Sequence, residues 1–179
     1  GAGSTETIFQ VGSHPAHVND KRASFRVILA RQNSDAGSPF FIEYLSGSTA
    51  ASNGMILTSI GGTDRNHDAY IDGKWHHYAF RVFQSASSPP NTDLQSMYAD
   101  MFMDGKKIHS LEQPMGAGSV PLLSQDSFMA GTIGARLNSS QGTLTGSIDE
   151  FRFWKGQRTN REINRYYDQK VYASEVDTE

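Results

Sequence analysis

Two adjacent carboxylates, Asp149 and Glu150, are the residues of this chain that most resemble a catalytic pair. Retaining glycosidases use two carboxyl groups about 5 Å apart, on either side of the bond that is cut. The surrounding sequence, Gly146 to Trp154, predicts a strand, and neighbouring side chains of a strand point to opposite faces. The two carboxylates therefore cannot flank one bond together. We expect them to hydrogen-bond neighbouring loops, and we predict no catalytic residue.

A second set of oxygen-bearing side chains alternates along one loop, at Asp64, Asn66 and Asp68. Ca²⁺ takes such ligands in flexible geometry. The EF-hand pattern needs Gly at its sixth position and Glu at its twelfth, and this loop has Ala69 and Trp75 there. An ordinary turn rich in Asp and Asn is the interpretation we favour. A looser calcium site on these three side chains is the alternative, and calcium is the cofactor that we consider.

A third kind of site would bind a sugar. Such a site needs an exposed aromatic ring that stacks on the sugar, with amide or carboxylate groups around it. Tyr70, beside the acidic loop, is the candidate ring, and Asn138 and Gln141 lie in a second loop that could converge on it. The alternative is a scattered surface aromatic beside solvated loops.

The elements that must position these residues are short strands separated by turns. Alternation and β-branched content predict about nine or ten of them, among them residues 7–12, 24–31, 40–45, 55–60, 76–83, 96–103, 106–110, 128–135 and 147–154. Asp104-Gly105 predicts a two-residue hairpin turn. Thr159 and Glu162 predict a capping box that begins one short helix, docked through Ile163 and Tyr167. The fold class is therefore all-β, an antiparallel two-sheet sandwich with one C-terminal helix.

Composition narrows the class of protein further. At 179 residues the chain suits one domain, here 1–170, with 171–179 as a tail or the start of another segment. The net charge is −3 without a basic cluster, which argues against nucleic-acid binding. No apolar window approaches the length of a membrane span. The absence of Cys excludes disulfides and thiolate chemistry. The start, GAGSTE, lacks the pattern of a signal peptide and suggests a cut or processed chain.

Four short motifs follow one another in an order that resembles a known family: DGKWHHY at 72–78, MFMDGK at 101–106, TIG at 132–134, and GSIDEFR at 146–152 with Glu162-Ile163 behind it. The series resembles the concanavalin A-like lectin/glucanase superfamily, in its laminin-G-type jelly rolls, over about residues 7–167. DEFRFWKGQRT, at 149–159, looks most like modules of tailed-phage structural proteins.

This resemblance implies two curved antiparallel sheets in a jelly roll, and an extracellular or virion-surface location. Family members are mostly carbohydrate-binding or adhesion modules, and Trp75 would lie in the core. The glucanases of this fold place acidic residues at alternate strand positions, whereas residues 147, 149 and 151 are Ser, Asp and Phe. An aromatic-rich first strand, usual in the family, is missing; we expect a chain cut from something longer, with residues 171–176 as the alternative source of that strand.

The predicted function is therefore a non-enzymatic, lectin-like binding or adhesion module. Its partners would be a surface glycan and other proteins of a virion or cell-surface assembly, with no nucleic acid and no membrane. Two alternatives stay open. One is a glycoside hydrolase of the same fold, and the other is a purely structural assembly domain that binds no small ligand.

Overall fold

The fold is taken from a computed structural model. It describes residues 5–13, 24–30, 37–45, 55–63, 67–70, 72–84, 95–115, 129–137, 142–154 and 156–170. Within these ranges the chain is mostly β, with two antiparallel sheets and one short α-helix. The helices of this part of the chain include none long and apolar enough to cross a membrane.

The first sheet has five strands in the order β4-β3-β2-β1-β8. Its first four strands form a meander, in which each strand pairs with the next, and β8 pairs with the free side of β1. The strands are β1 (Thr5–Ser13), β2 (Ser24–Ala30), β3 (Phe40–Leu45), β4 (Met55–Ile60) and β8 (Met129–Ile133).

The second sheet has three strands in the order β5-β6-β7, again a meander. They are β5 (Tyr78–Gln84), β6 (Gln95–Met103) and β7 (Lys106–Met115). The predicted strands match these eight to within a few residues at their ends, except that β7 continues to Met115. Eight strands among the described residues are fewer than the nine or ten predicted, and the difference includes the strand expected at 147–154.

The two sheets share one hydrophobic core, because alternate side chains of each sheet face the other. The buried residues of this cluster come from β3, β4 and β6 and from one loop: Phe40, Ile42, Tyr44, Ile60, Tyr70, Met97, Ala99, Met101 and Met103. Tyr78, Phe80 and Val82, alternate residues on one face of β5, pack against it. The core thereby fixes the two sheets against each other.

The hairpin between β6 and β7 turns through Asp104 and Gly105, as predicted. Both residues have positive φ, 50° and 75°, as a two-residue type I′ turn requires. The helix α1 (Asn160–Tyr166) docks on this turn. The Asn164 amide donates to the Gly105 carbonyl at 3.4 Å, and the Tyr167 ring lies directly over Gly105.

The start of α1 confirms the predicted capping box. The Glu162 backbone N–H donates to Thr159 Oγ1 at 3.2 Å, and the Thr159 N–H donates to Glu162 Oε2 at 2.6 Å. Two amide donors at the helix start, which have no partner within the helix, are satisfied in this way. The seven-residue helix has no buried residue, so it is held by its cap and by the contacts at the Gly105 turn.

The strand predicted at 147–154 is wrong. The backbone there makes no ladder, and Glu150 has a φ of +54°, a left-handed conformation that interrupts an extended chain. On such a strand Phe151 and Phe153 would share one face, which we expect to be buried; this is also wrong, since Phe153 is 60% exposed and Phe151 is 39% exposed. Both rings do contact Phe9, at centroid distances of 5.5 and 5.2 Å. The segment therefore packs against the first sheet through these two rings but is not a strand of either sheet.

Candidate functional site

Tyr70, the ring predicted to stack on a sugar, is buried in the core and only 3% exposed. Its hydroxyl donates to the Gly61 carbonyl at 2.7 Å, and its ring packs edge-on against Phe40 at 6.1 Å. Its own carbonyl accepts from the Tyr78 hydroxyl at 2.6 Å. The expected surface position is therefore wrong, because a ring enclosed on its faces has no surface on which a sugar can stack.

Of the other predicted binding residues, the structure describes only Asp68. Asn138, Gln141, Asp64 and Asn66 lie outside the described residues. Asp68 is exposed in a short 3₁₀ helix, His67–Ala69. Among the residues that the structure describes, no three His, Asp or Glu side chains are grouped so that they could hold a metal ion. The calcium site stays a prediction.

Asp149 and Glu150 are both exposed and make local contacts. Asp149 Oδ1 accepts from the Glu150 backbone N–H at 2.8 Å, and Glu150 Oε2 lies 3.0 Å from Arg152 Nη2. Arg152 also donates to the carbonyls of Tyr166 and Gln169. The expected hydrogen bonds to neighbouring loops are not seen within the described part of the chain, since both carboxylates bond there only within residues 149–152, and the strand used to separate the two side chains is absent.

A sugar site needs an exposed aromatic ring, which Tyr70 does not provide. Such a ring lies in a different loop. Trp75 is 72% exposed, the highest value among the large hydrophobic side chains that the structure describes. It lies in the loop of residues 72–77, which we call the Trp75 loop, directly before β5. The expected core position of Trp75 is wrong. The reason is local: β5 begins at Tyr78, so the WHH sequence belongs to the loop and not to the strand.

Hydrogen bonds to carboxylates hold the Trp75 loop from both ends. Asp72 Oδ1 accepts from the Lys74 backbone N–H at 2.9 Å, a local turn typical of Asp before Gly. Asp104 Oδ1, in the β6–β7 turn, accepts from the His77 N–H at 2.9 Å, and the Asp104 N–H donates to the His77 carbonyl at 2.8 Å. The backbone on either side of Trp75 is therefore tied down while its ring stays exposed.

His76 joins the same two carboxylates through its ring. Nδ1 lies 2.8 Å from Asp104 Oδ2, and Nε2 lies 3.0 Å from Asp72 Oδ1. An imidazole can donate to two acceptors only when both nitrogens carry a proton. The geometry thus indicates a protonated His76 that bridges the Trp75 loop and the β6–β7 turn, and we call this three-residue arrangement the His76 clamp.

The electrostatics of the His76 clamp agree with this geometry. The hydrogen bond that His76 donates to Asp104 raises the pKa of His76 above its ordinary value, and burial opposes the shift less strongly than the two carboxylates favour it. The Lys74 backbone N–H, with smaller contributions from His76 and the Lys74 ammonium, lowers the pKa of Asp72 to about 2. Burial disfavours ionisation of Asp104, but the bonds to His76 and His77 outweigh it and lower its pKa.

Comparison with known proteins gives this site no precedent. No family model, no curated protein and no solved structure matches the chain. The resemblance to concanavalin A-like jelly rolls therefore stays a prediction. Function has to be inferred from the chemistry of the Trp75 loop and of the surfaces around it.

The chemistry available at the Trp75 loop is recognition. An exposed indole presents a large apolar face that can stack on the C–H face of a sugar ring, and its N–H can donate a hydrogen bond. Lys74 is exposed beside it, paired at 3.2 Å with Asp72. His76 has no free ring nitrogen with which to accept a proton, since both face carboxylates. One signal could have located this loop from sequence: the turn dipeptide Asp72-Gly73, which places Trp75 just after a turn.

Proposed function

We propose that this protein is a non-enzymatic, lectin-like module that binds a surface glycan through Trp75. The observation that carries the proposal is the exposure of Trp75, at 72%, on a loop whose backbone is tied down on both sides of it. A rigid platform loses little conformational freedom on binding, which favours affinity. An isolated, mobile Trp would not have this advantage.

The architecture supports a jelly roll of the concanavalin A-like type. Two antiparallel sheets share a core, and the order of the four motifs along the chain resembles that superfamily. The motifs DGKWHHY and MFMDGK meet in space, because His76 and His77 contact Asp104. By the same resemblance we place the protein on an extracellular or virion surface, among other proteins of an assembly.

A binding function is favoured over glycoside hydrolysis by the state of the acidic residues. Asp149 and Glu150 make local structural contacts, and Asp72 and Asp104 both engage the protonated His76. A general acid needs a raised pKa so that it carries a proton near neutral pH. The pKa values of Asp72 and Asp104 are lowered, which keeps both of them ionised.

Replacing Trp75 by Ala is expected to weaken glycan binding by about tenfold or more, because a stacked aromatic is the kind of residue that dominates a binding site. The change in unfolding free energy is expected to stay within about 0.5 kcal/mol, since the ring is exposed. A broad glycan array identifies the ligand, and titration calorimetry measures its affinity.

The matched control for this experiment is Phe153→Ala, which removes another exposed aromatic, from outside the Trp75 loop. It should leave glycan affinity unchanged. Trp75→Phe should keep part of the affinity because a smaller stacking face remains. Equal affinity of the wild type and Trp75→Ala for a glycan found on the array would contradict the proposal.

A second candidate function, a purely structural assembly domain, is favoured by one apolar cluster. Phe9 and Ile133 are paired across β1 and β8, and the rings of Phe151 and Phe153 contact Phe9. Ile133 is 50% exposed and Phe153 is 60% exposed. Exposed apolar side chains that are grouped, and not scattered, are typical of protein–protein contact surfaces.

This candidate predicts that the chain self-associates through the cluster and that Phe153→Asp abolishes the association. A buried charge in a contact surface opposes its formation, because the carboxylate would lose its hydration. Sedimentation equilibrium over a range of protein concentrations measures the effect, with Trp75→Ala as the control that should still associate. A wild-type chain that is monomeric at every concentration would exclude assembly of this chain with its own copies.

A further inference from the structure

We propose that His76 is a positioning residue that regulates the Trp75 site by pH: the protonated ring holds the Trp75 loop in its binding conformation, and loss of the proton releases it. This regulation rests on the glycan-binding function proposed above. The physical basis is the His76 clamp, in which one imidazole lies between carboxylates that belong to two different segments of the chain.

The clamp depends on the proton because each ring nitrogen faces an oxygen that can only accept. Nε2 donates to Asp72 on the near side of Trp75, and Nδ1 donates to Asp104 in the β6–β7 turn. A neutral imidazole carries one N–H, so one of the two carboxylates then faces a ring lone pair. A lone pair and an ionised carboxylate repel each other, and that contact opens.

Trp75 lies inside the small loop that the His76 clamp closes, so its ring is expected to respond when His76 loses its proton. Asp72 and His76 are four residues apart, and their side-chain bond closes a small loop that contains Trp75. The Lys74 N–H bond to Asp72 lies within the same closure. The β6–β7 turn on the other side is braced by α1, since Tyr167 covers Gly105. Opening is therefore expected in the Trp75 loop and not in the turn.

The charged and titratable groups that face His76 come from three segments. Asp72, with its partner Lys74, lies in the Trp75 loop, Asp104 lies in the β6–β7 turn, and the Tyr78 ring of β5 lies 6.1 Å from the imidazole. Burial raises the pKa of Tyr78 to about 12, so Tyr78 is neutral over the range in which His76 titrates. The carboxylates are ionised throughout that range because their pKa values are lowered.

The sign of the pH dependence follows from the direction of the His76 shift. The pKa of His76 is raised in the closed loop, first by the bond to Asp104 and then by Asp72. The clamp is therefore fully formed below the ordinary pKa of histidine and is lost as the pH rises through the raised value. The ratio of closed to open loop changes about tenfold for each unit by which the closed pKa exceeds the open one.

The first experiment uses the free protein and needs no ligand. NMR follows the His76 ring signal, the Trp75 indole N–H and the backbone N–H of Lys74 between about pH 5 and about pH 10, a range that brackets the ordinary pKa of histidine. We expect His76 to titrate above the ordinary pKa and the Trp75 and Lys74 signals to change with the same midpoint. Flat Trp75 and Lys74 signals, or a His76 midpoint at or below the ordinary value, would overturn the proposal.

Two variants and one internal control sharpen this test. His76→Gln cannot titrate, so its Trp75 and Lys74 signals should not change over that range. Asp104→Asn should lower the His76 midpoint, because it removes the largest cause of the shift. His77 is the internal control, because burial and the nearby Arg152 lower its pKa. A change that follows His77 would appear on the acid side of the ordinary value and would overturn the assignment to His76.

The second experiment measures affinity for the glycan identified by array, at about pH 6 and about pH 9, on either side of the expected midpoint. The wild type should bind more weakly at the higher pH, by up to about tenfold if the closed and open pKa values differ by about one unit, and His76→Gln should bind equally at both. A loop that titrates while the affinity stays constant would overturn the regulation. A loop that titrates in a protein that binds no glycan at either pH would overturn the proposed function and leave the clamp in place.

Discussion

Replacing Gly61 by Ala is expected to lower the free energy of unfolding by about 3–5 kcal/mol, a large part of the stability of a typical domain. Gly61 has a φ of +117°, a conformation that side-chain-bearing residues rarely adopt. A Cβ there would lie 2.3 Å from Ser38 Oγ, 2.5 Å from Ser38 Cβ and 3.1 Å from Met101 Sδ. Backbone strain and overpacking therefore add to each other.

The neighbours of Gly61 cannot give way easily. The Ser38 hydroxyl accepts from the Phe40 backbone N–H at 3.2 Å, and Met101 belongs to the core. The Gly61 N–H donates to His109 Nδ1 at 3.1 Å, and its carbonyl accepts from the buried Tyr70 hydroxyl at 2.7 Å. A shift of Gly61 to relieve the clash would break the bond to His109, which connects the two sheets, and the bond to the buried Tyr70.

Gly73→Ala is the matched control for this prediction. Gly73 has a φ of +78°, but a Cβ there meets nothing within 4 Å. The expected destabilisation is therefore only the cost of the left-handed backbone conformation for Ala, about 1–2 kcal/mol. Urea unfolding of both variants, with the slope of the transition unchanged, measures the difference. Equal destabilisation of Gly61→Ala and Gly73→Ala would show that the contact with Ser38 adds nothing.

Replacing Asp100 by Ala is expected to destabilise the fold by about 3–5 kcal/mol, because it leaves a largely buried guanidinium without its carboxylate. Asp100 is 5% exposed and accepts from Arg81 through both Nε and Nη2, the former at 3.0 Å. The Ser110 hydroxyl donates to its other oxygen at 2.5 Å, and Lys107 Nζ lies 3.6 Å away. One carboxylate thus connects all three strands of the second sheet.

The effect should extend to the C-terminal segment. Arg81 Nη1 donates to the Arg158 carbonyl at 2.8 Å, one residue before the cap of α1. When Asp100 is lost, Arg81 is free to reorient and this bond weakens. Amide hydrogen exchange should therefore report faster exchange in α1 than in the wild type, besides the loss of global stability measured by urea unfolding.

A pH series separates charge from packing at Asp100. Burial disfavours the ionised carboxylate, but the bonds from Ser110 and Arg81 and the charges of Arg81 and Lys107 outweigh it and lower the pKa. The contribution to stability is therefore present above the ordinary Asp pKa and is lost as the pH falls through the lowered value. The difference between wild type and Asp100→Ala should shrink in acid.

Glu112→Ala is the matched control on the same sheet. Glu112 is exposed and accepts from the Tyr98 hydroxyl at 2.8 Å. Exposed contacts of this kind contribute little, so the change should stay within about 0.5 kcal/mol. If Asp100→Ala destabilised the protein no more than Glu112→Ala, the proposed importance of burial would be contradicted.

Much of the fold could be predicted because its signals are local. The strand ends of β3 and β4, the Asp104-Gly105 turn and the Thr159–Glu162 box depend on alternation, on turn chemistry and on capping within a few residues. Local rules of this kind hold wherever the chain then packs. Alternation also puts Tyr78, Phe80 and Val82 on one face of β5, and the structure shows that this face packs against the core.

The candidate site was poorly predicted because exposure is not a local property. Tyr70 and Trp75 are both aromatic residues near the same acidic stretch, and apart from the Asp72-Gly73 turn before Trp75 little in their neighbours separates them. The packing of β3 and the carbonyl of Gly61 enclose Tyr70. The loop before β5 leaves Trp75 outside. The same limitation applies to 147–154, where alternation suggested a strand but the backbone turns at Glu150.

The sequence by itself determined the class of structure: mostly β, with one capped helix and a hairpin at Asp104-Gly105, because periodicity and turn chemistry act between near neighbours. Tertiary structure decided which aromatic is exposed and which histidine bridges two carboxylates. His76 and Asp104 are 28 residues apart in sequence, and only the pairing of β5 with β6 brings them to 2.8 Å. A contact of that range is set by the packing of whole strands, which no short motif encodes.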